Sequence, residues 1–162
     1  MTNEQKLTQI LLSLQVYNLG DIKKARNVDS NIGAFILCSC FIDHLSRYRY
    51  YKTIKTDKNR FVAFADRYLP SFAGKGEDLY YSLRSALVHN YSTKGHYVLA
   101  WGNRAVHMEA DGNERVYIDL DALIAEMELA LNKYWSHLLA NPDLQQIAIS
   151  HYNDYPVIMQ LQ

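Results

Sequence analysis

The stretch Leu79-Tyr80-Tyr81-Ser82-Leu83-Arg84-Ser85-Ala86-Leu87-Val88-His89-Asn90-Tyr91 decides the fold. Leu79, Leu83, Ala86 and Leu87 recur at the spacing of an amphipathic helix, so one side of that helix faces a core. Ser85 and His89 are four apart and share a face, one turn above the other. Arg84 and His89 are five apart, which on an α-helix of ~3.6 residues per turn separates them by roughly 140°. Such a pair does not share a small ligand unless the helix frays near Asn90 or a second chain supplies one of the two groups.

Upstream of this helix the pattern stays helical. Leu7, Ile10, Leu11, Leu14 and Tyr17 form an apolar stripe over Lys6 to Tyr17, and Gly20-Asp21 is expected to break it. From Asn31 to about Tyr51 the chain is apolar on most sides (Ile32, Ala34, Phe35, Ile36, Leu37, Phe41, Ile42, Leu45), the mark of a central helix. Asp43 and His44 interrupt that run. A further helix is predicted from Asp57 or Lys58 to Tyr68, with Phe61, Val62, Phe64 and Ala65 inward, ending at Leu69-Pro70. Gly74 and Gly76 read as a flexible joint.

Downstream the period changes. Tyr97–Trp101, Ala105–Glu109 and Arg115–Ile118 are short β-type runs, and Gly102-Asn103 and Asp111-Gly112-Asn113 are turn signals between them. They predict a three-stranded antiparallel meander at about 96–118. A long helix follows, starting at a cap (Asp119 or Asp121) and reaching about Leu139. Its stripe is Leu120, Leu123, Ile124, Met127, Leu131, Tyr134, Trp135 and Leu138. Asn141-Pro142 opens a short helical piece and tail at about 141–162. The expected architecture is one mainly α domain over 1–162. It is an up-and-down bundle of four to five helices with a small antiparallel β insertion before the last long helix.

A chain of 162 residues can bury a core without staples. Cys38 and Cys40, the only cysteines, lie two apart on a helix and point to different faces, so they are not expected to pair. Reduced thiols and a start without a basic, apolar leader fit a cytoplasmic setting. No uncharged apolar run is long enough to span a bilayer. His96, His107, His137 and His151 lack partners at metal-ligand spacing, so no metal or cofactor is expected. The formal net charge of zero hides an asymmetry. Residues 1–104 hold 15 Lys and Arg against 8 Asp and Glu, while residues 105–162 hold 2 against 9. The densest basic segment is Arg47-Tyr48-Arg49-Tyr50-Tyr51-Lys52. Guanidinium groups hold phosphates and tyrosine rings stack on bases, so Arg47, Arg49, Tyr50 and Lys52 are candidate RNA contacts. The same segment also reads as a solvated helix end, or as a surface that meets the acidic C-terminal part of its own chain.

Arginine, four residues, then histidine, with a small polar residue directly after the arginine, on the fourth helix of a bundle, resembles the signature of the HEPN superfamily. The stretches Ala34-Phe35-Ile36-Leu37-Cys38-Ser39-Cys40-Phe41-Ile42-Asp43 and Tyr68-Leu69-Pro70 add to the likeness. They look like bacterial HEPN-like proteins in which a helical bundle precedes a small hairpin, a likeness covering approximately residues 5–140. It implies a metal-independent endoribonuclease acting on single-stranded RNA in stress or defence. It also implies a homodimer whose signature helices meet at the axis, with an antitoxin or nucleotidyltransferase as partner.

Carried onto this chain, His89 takes the proton of a ribose 2′-hydroxyl or gives one to the leaving 5′-oxygen. Arg84 holds the scissile phosphate, and Ser85, standing where the pattern often has asparagine, bonds phosphate or orients His89. Histidine titrates near neutrality and arginine offers a permanent planar fork, so the residue types suit the chemistry. Asp43 and Asn90 are expected to support the pair from behind. Two other readings stay open: a bundle-locking Arg84–Asp43 pair, and phosphate or protein binding without cleavage.

Overall fold

The computed structural model describes residues 1–156. Among them the chain forms six helices and one small sheet. Helix α1 (residues 3–27) opens on a capping box, in which the Thr2 hydroxyl accepts from the Gln5 N–H and the Thr2 N–H donates to Gln5 Oε1 at 2.8 Å. Helix α2 is Asn31–Tyr50 and α3 is Asp57–Tyr68, the latter capped by Thr56. A short 3₁₀ turn, Pro70–Phe72, leads to α4 (residues 76–90). Helix α5 is Leu120–Leu139 and α6 is Pro142–Asp154. The apolar α2 packs against all five other helices, as its sequence required. The predicted tail beyond residue 156 lies outside the described residues.

Gly20-Asp21 does not break α1. Residues Ser13–Leu19 wind as a π-helix, hydrogen-bonded i→i+5, and α-helix resumes over Gly20–Asn27. Leu14 and Leu19, five apart, are both buried. A continuous α-helix would turn one of them away from the core, whereas the wider π turn brings both onto one face, from which Ile22 continues the stripe. Core burial outweighs a helical glycine, whose cost is only about 1 kcal/mol.

Gly76 is no flexible joint either. It is buried where α4 starts against α3, and its N–H donates to Asp66 Oδ1 at 2.9 Å. A Cβ there would stand 2.8 Å from the Val62 carbonyl oxygen, so only glycine permits this approach. Gly76→Ala is expected to destabilise the chain by about 1–3 kcal/mol. Urea unfolding measures this, and an unchanged midpoint would contradict the packing.

The β region differs from the expected meander. Strand β1 (Tyr97–Ala100) pairs with β2 (Val116–Asp119) in parallel, Tyr97 opposite Val116 and Ala100 opposite Asp119. Residues 101–115 are long enough for the crossover that parallel pairing needs. The middle run does not become a strand. Asn103 Oδ1 accepts from the Ala105 N–H and starts a 3₁₀ turn over Arg104–Val106, and Met108 takes a positive φ of 65°. What remains of the hairpin is one antiparallel bridge, Ala110 to Val116. The turn at Asp111 forms as expected, its Oδ1 accepting from the N–H groups of Asn113 and Arg115 at 2.8 and 2.9 Å.

The acidic C-terminal part is tied to the basic N-terminal part within one chain. Arg26 Nε and Nη2 donate to the two oxygens of Asp121 at 2.8 and 3.0 Å, and Lys23 pairs with Glu128. Asp119, buried, caps α5 by accepting from the Ala122 N–H at 2.9 Å.

Candidate functional site

Helix α2 carries Asp43 to the face that receives α4. The Asp43 residue is 7% exposed, and its Oδ2 accepts from Arg84 Nε at 3.3 Å and Nη2 at 3.2 Å. One turn along α2, Arg47 Nη2 stands 3.6 Å from the same oxygen and 3.1 Å from Asp57 Oδ2, while Arg60 engages the other Asp57 oxygen, Oδ1. Burial works to raise the Asp57 carboxyl, but the Arg60 hydrogen bond and the charges of Arg47, Arg60 and Arg84 hold it below its ordinary range. Both Arg84 bonds converge on one oxygen, so this is not the parallel fork-to-fork pairing of a closed ion pair. Arg84 Nη1 donates to no group among the described residues, Asp43 Oδ1 is buried without a partner, and the Arg84 side chain keeps 27% of its surface in solvent.

His89 lies at the open end of α4. It is exposed and makes no hydrogen bond among the described residues. The backbone leaves the helix directly beyond, at Tyr91 with φ 53°. Ser85 is half-buried and Asn90 exposed, and neither side chain is hydrogen-bonded among the described residues. The structure therefore brings Arg84 and Asp43 together, and leaves His89, Ser85 and Asn90 as free groups on the same helix. Residues Tyr80–Leu87 of α4 wind as a π-helix. Each residue there turns by less than the ~100° of an α-helix, so the angle between Arg84 and His89 is smaller than the roughly 140° expected from uniform α spacing.

The basic-aromatic segment is engaged internally. Arg49 Nε donates to the Tyr68 hydroxyl at 3.2 Å, with its guanidinium 4.6 Å from the Tyr50 ring centroid. The Tyr50 hydroxyl donates to the Ala63 carbonyl at 3.4 Å. Lys52 Nζ reaches Asp154 at 3.0 Å, joining this segment to the acidic C-terminal part. Arg47 belongs to the Asp43–Asp57 cluster just described.

Sequence reasoning passed over a cleft on the other side of Asp43. One compartment, of about 280 Å³, is lined by Cys40, Asp43, His44, Arg47, His151 and Tyr155. It shares Cys40, His44 and Tyr155 with a second of about 510 Å³, whose walls include Tyr17, Asn18, Leu37 and Phe41. The rings of His44 and His151 are 6.2 Å apart, with Tyr48 edge-on to both. Burial lowers both imidazoles, His151 to about 4, and Arg47 adds to the effect on each. His44 and Asp43, polar residues inside an apolar helical run, were the available signal. His151 carried none, because helix α6 has to dock before that ring has neighbours. Cys38 is buried and Cys40 exposed, both unpaired.

His107, expected on a strand as a packing residue, instead accepts from the Asp119 N–H at Nδ1 (3.2 Å). That bond places the ring proton on Nε2, which is 3.5 Å from Glu126 Oε1 without a hydrogen bond to it; the same oxygen accepts from the Ser71 hydroxyl. Among the described residues no group of three or more His, Cys, Asp or Glu could hold a metal ion. No helix among them is long and apolar enough to cross a membrane. No protein-family profile, curated protein or solved structure matches the chain.

Proposed function

We propose that the chain is a HEPN-type endoribonuclease that cleaves single-stranded RNA without a metal and works as a homodimer. The observation that carries this reading is the state of the two signature groups. The Arg84 guanidinium is oriented from one side by Asp43 and keeps donors free, while His89 on the same helix is unpartnered and open to solvent. A phosphate bound by Arg84 would meet a fixed fork, and the charge building on it during attack would be stabilised without reorganisation. His89 would take the proton from the 2′-hydroxyl as its oxygen attacks phosphorus. The bond from phosphorus to the 5′-oxygen then breaks, and that oxygen leaves with a proton returned by an imidazolium or water. The products are a 2′,3′-cyclic phosphate and a 5′-hydroxyl. The π turn eases a shared ligand within one chain, and a facing second helix would supply the arginine of one protomer to the histidine of the other.

The test is end-labelled single-stranded RNA incubated with the purified chain and a chelator. The expected products carry cyclic-phosphate and 5′-hydroxyl ends; an intact RNA panel would refute the proposal.

A second reading, an RNA- or protein-binding module without cleavage, is favoured by the Arg84–Asp43 pair itself, which also serves to lock α4 on α2. In that case RNA affinity would fall with salt, survive His89→Ala, and drop when Arg47 and Arg49 are neutralised.

A further inference from the structure

Two guanidiniums, not one, stand at the Asp43 carboxylate. Arg84 Nη2 at 3.2 Å and Arg47 Nη2 at 3.6 Å approach the same oxygen, Oδ2, so the two groups are neighbours although they come from α4 and α2. Asp57 holds Arg47 from α3, its Oδ2 3.1 Å from Nη2. No hydrogen bond consumes the Arg47 donors among the described residues. Arg60 is the contrast: its side chain is 13% exposed, and its donors go to Asp57 and to the Ile54 carbonyl at 2.7 Å. Arg84 and Arg47 keep 27% and 33% of their side chains in solvent.

The charges around these groups do not cancel. Three arginines face two aspartates, and no third carboxylate pairs with Arg47, Arg60 or Arg84 among the described residues. The neighbouring imidazoles of His44 and His151 are both lowered by burial, with Arg47 adding to the effect, so at pH 7 they stay neutral. One positive charge is left over, and it lies on the two part-exposed forks. Partly desolvated cations in excess of their counter-charges make a site for an anion. An RNA phosphodiester carries one negative charge and presents two free oxygens, one for each guanidinium.

We propose that Arg47 is a second phosphate-binding residue, and that Arg47 and Arg84 clamp one phosphodiester of the RNA strand between them. The inference rests on the ribonuclease reading and deepens it, since forks from two helices hold the phosphate rather than Arg84 alone. Asp43 and Asp57 place the two guanidiniums before RNA arrives, so little side-chain order has to be gained on binding. Two forks fix the orientation of the phosphate more tightly than one, which attack by the 2′-hydroxyl in line with the leaving oxygen requires.

The experiment uses the full chain with His89→Ala, so that no RNA is consumed, and follows binding of a labelled single-stranded RNA by fluorescence anisotropy over a series of salt concentrations. Adding Arg47→Gln should weaken binding about tenfold and lower the slope of log affinity against log salt by about 0.7, the signature of one phosphate. Arg84→Gln should do the same, and the double variant should lose one phosphate, not two. Arg47→Lys keeps a charge beside both aspartates and so keeps the fold and the slope, but loses the planar fork and with it affinity by several-fold. Arg67→Gln removes a charge at an exposed residue elsewhere and should change neither quantity. An unchanged slope in folded Arg47→Gln, full affinity in Arg47→Lys, an equal loss in Arg67→Gln, or slopes that add in the double variant would overturn the clamp. If the wild-type chain cleaves RNA while Arg47→Gln keeps the parent slope, the nuclease stands and the clamp falls. If the slopes behave as expected but the wild-type chain yields no cyclic-phosphate ends, the clamp stands and the nuclease falls.

Discussion

Arg84→Ala is expected to lower RNA cleavage by about 10²–10³-fold and, separately, to lower the stability of the chain. The two losses have different origins. On the proposed mechanism, catalysis would lose the fork that binds the charged oxygens of the phosphate. Stability falls because, among the described residues, the buried carboxylate of Asp43 keeps only Arg47, 3.6 Å away, as a charged partner. Removing one side of a well-buried pair costs about 3–5 kcal/mol; with Arg84 part-exposed and Arg47 remaining, about 2–3 kcal/mol is the expected loss. Arg84→Lys separates the effects. It restores a positive charge next to Asp43 and most of the stability, but not the planar fork, so activity stays low. Asp43→Asn gives the complementary result, with Arg84 retained but no longer oriented. Urea unfolding and initial rates on one RNA substrate measure both quantities. A variant Arg84→Ala with full activity would remove the arginine from the mechanism, and one with full stability would show the Asp43 contact to be worth nothing.

Acid should unfold this chain earlier than its carboxylates alone require. His151 is pushed down to about 4 by burial, reinforced by His44, Arg47 and Arg60 and opposed by Asp154. An unfolded histidine titrates near 6.5, so between those two values the unfolded chain binds a proton that the native chain refuses. Stability is therefore fully present above pH ~6.5 and falls as the pH drops toward 4. A difference of about 2.5 pKa units corresponds to about 3 kcal/mol, of which about 2 kcal/mol is lost by pH 5, before most carboxylates titrate. His44 is shifted in the same direction and adds to the slope. Helix α6 should loosen first, because His151 sits on it between the rings of Tyr48 and Tyr51. The check is the unfolding free energy at pH 7 and pH 5 for the native chain and for His151→Phe. The native chain should lose about 2 kcal/mol and the variant clearly less. Equal losses would show that His151 is not the proton-linked group.

The helices were legible in the sequence because they carry apolar positions at helical spacing, and four of the six open on a side-chain cap. Thr56, Asp119 and Asn141 all cap as their residue types suggest. What the spacing hid were the two π stretches. A five-residue step such as Leu14 to Leu19 looks like the end of a helix, because periodicity is judged against an α turn. The β region misled for a different reason. Short β-type runs separated by turn residues read as a meander, but Asn103 fixes a 3₁₀ turn over Arg104–Val106, and of the Ala105–Glu109 run only Met108 and Glu109 still exchange backbone hydrogen bonds with Tyr117. At the site, the chemical character of Arg84, His89 and Asp43 could be read from the chain, and so could the option of an Arg84–Asp43 pair. The cleft could not, since it joins Asn18 on α1, Asp43 on α2 and His151 on α6, and only packing brings those residues together. The charge asymmetry along the chain was plain in the sequence, but only the structure showed Arg26, Lys23 and Lys52 meeting Asp121, Glu128 and Asp154 within one molecule.

The claim on which the account turns is that His89 moves a proton during RNA cleavage. It is tested most directly by following the appearance of 2′,3′-cyclic phosphate ends on one single-stranded RNA, in chelator, with the wild-type chain and with His89→Ala. His89 is exposed and has no partner among the described residues, so the variant should melt with the native chain, while its rate falls by about 10²-fold or more. Equal rates from the two folded proteins, or no such ends from either, would contradict it.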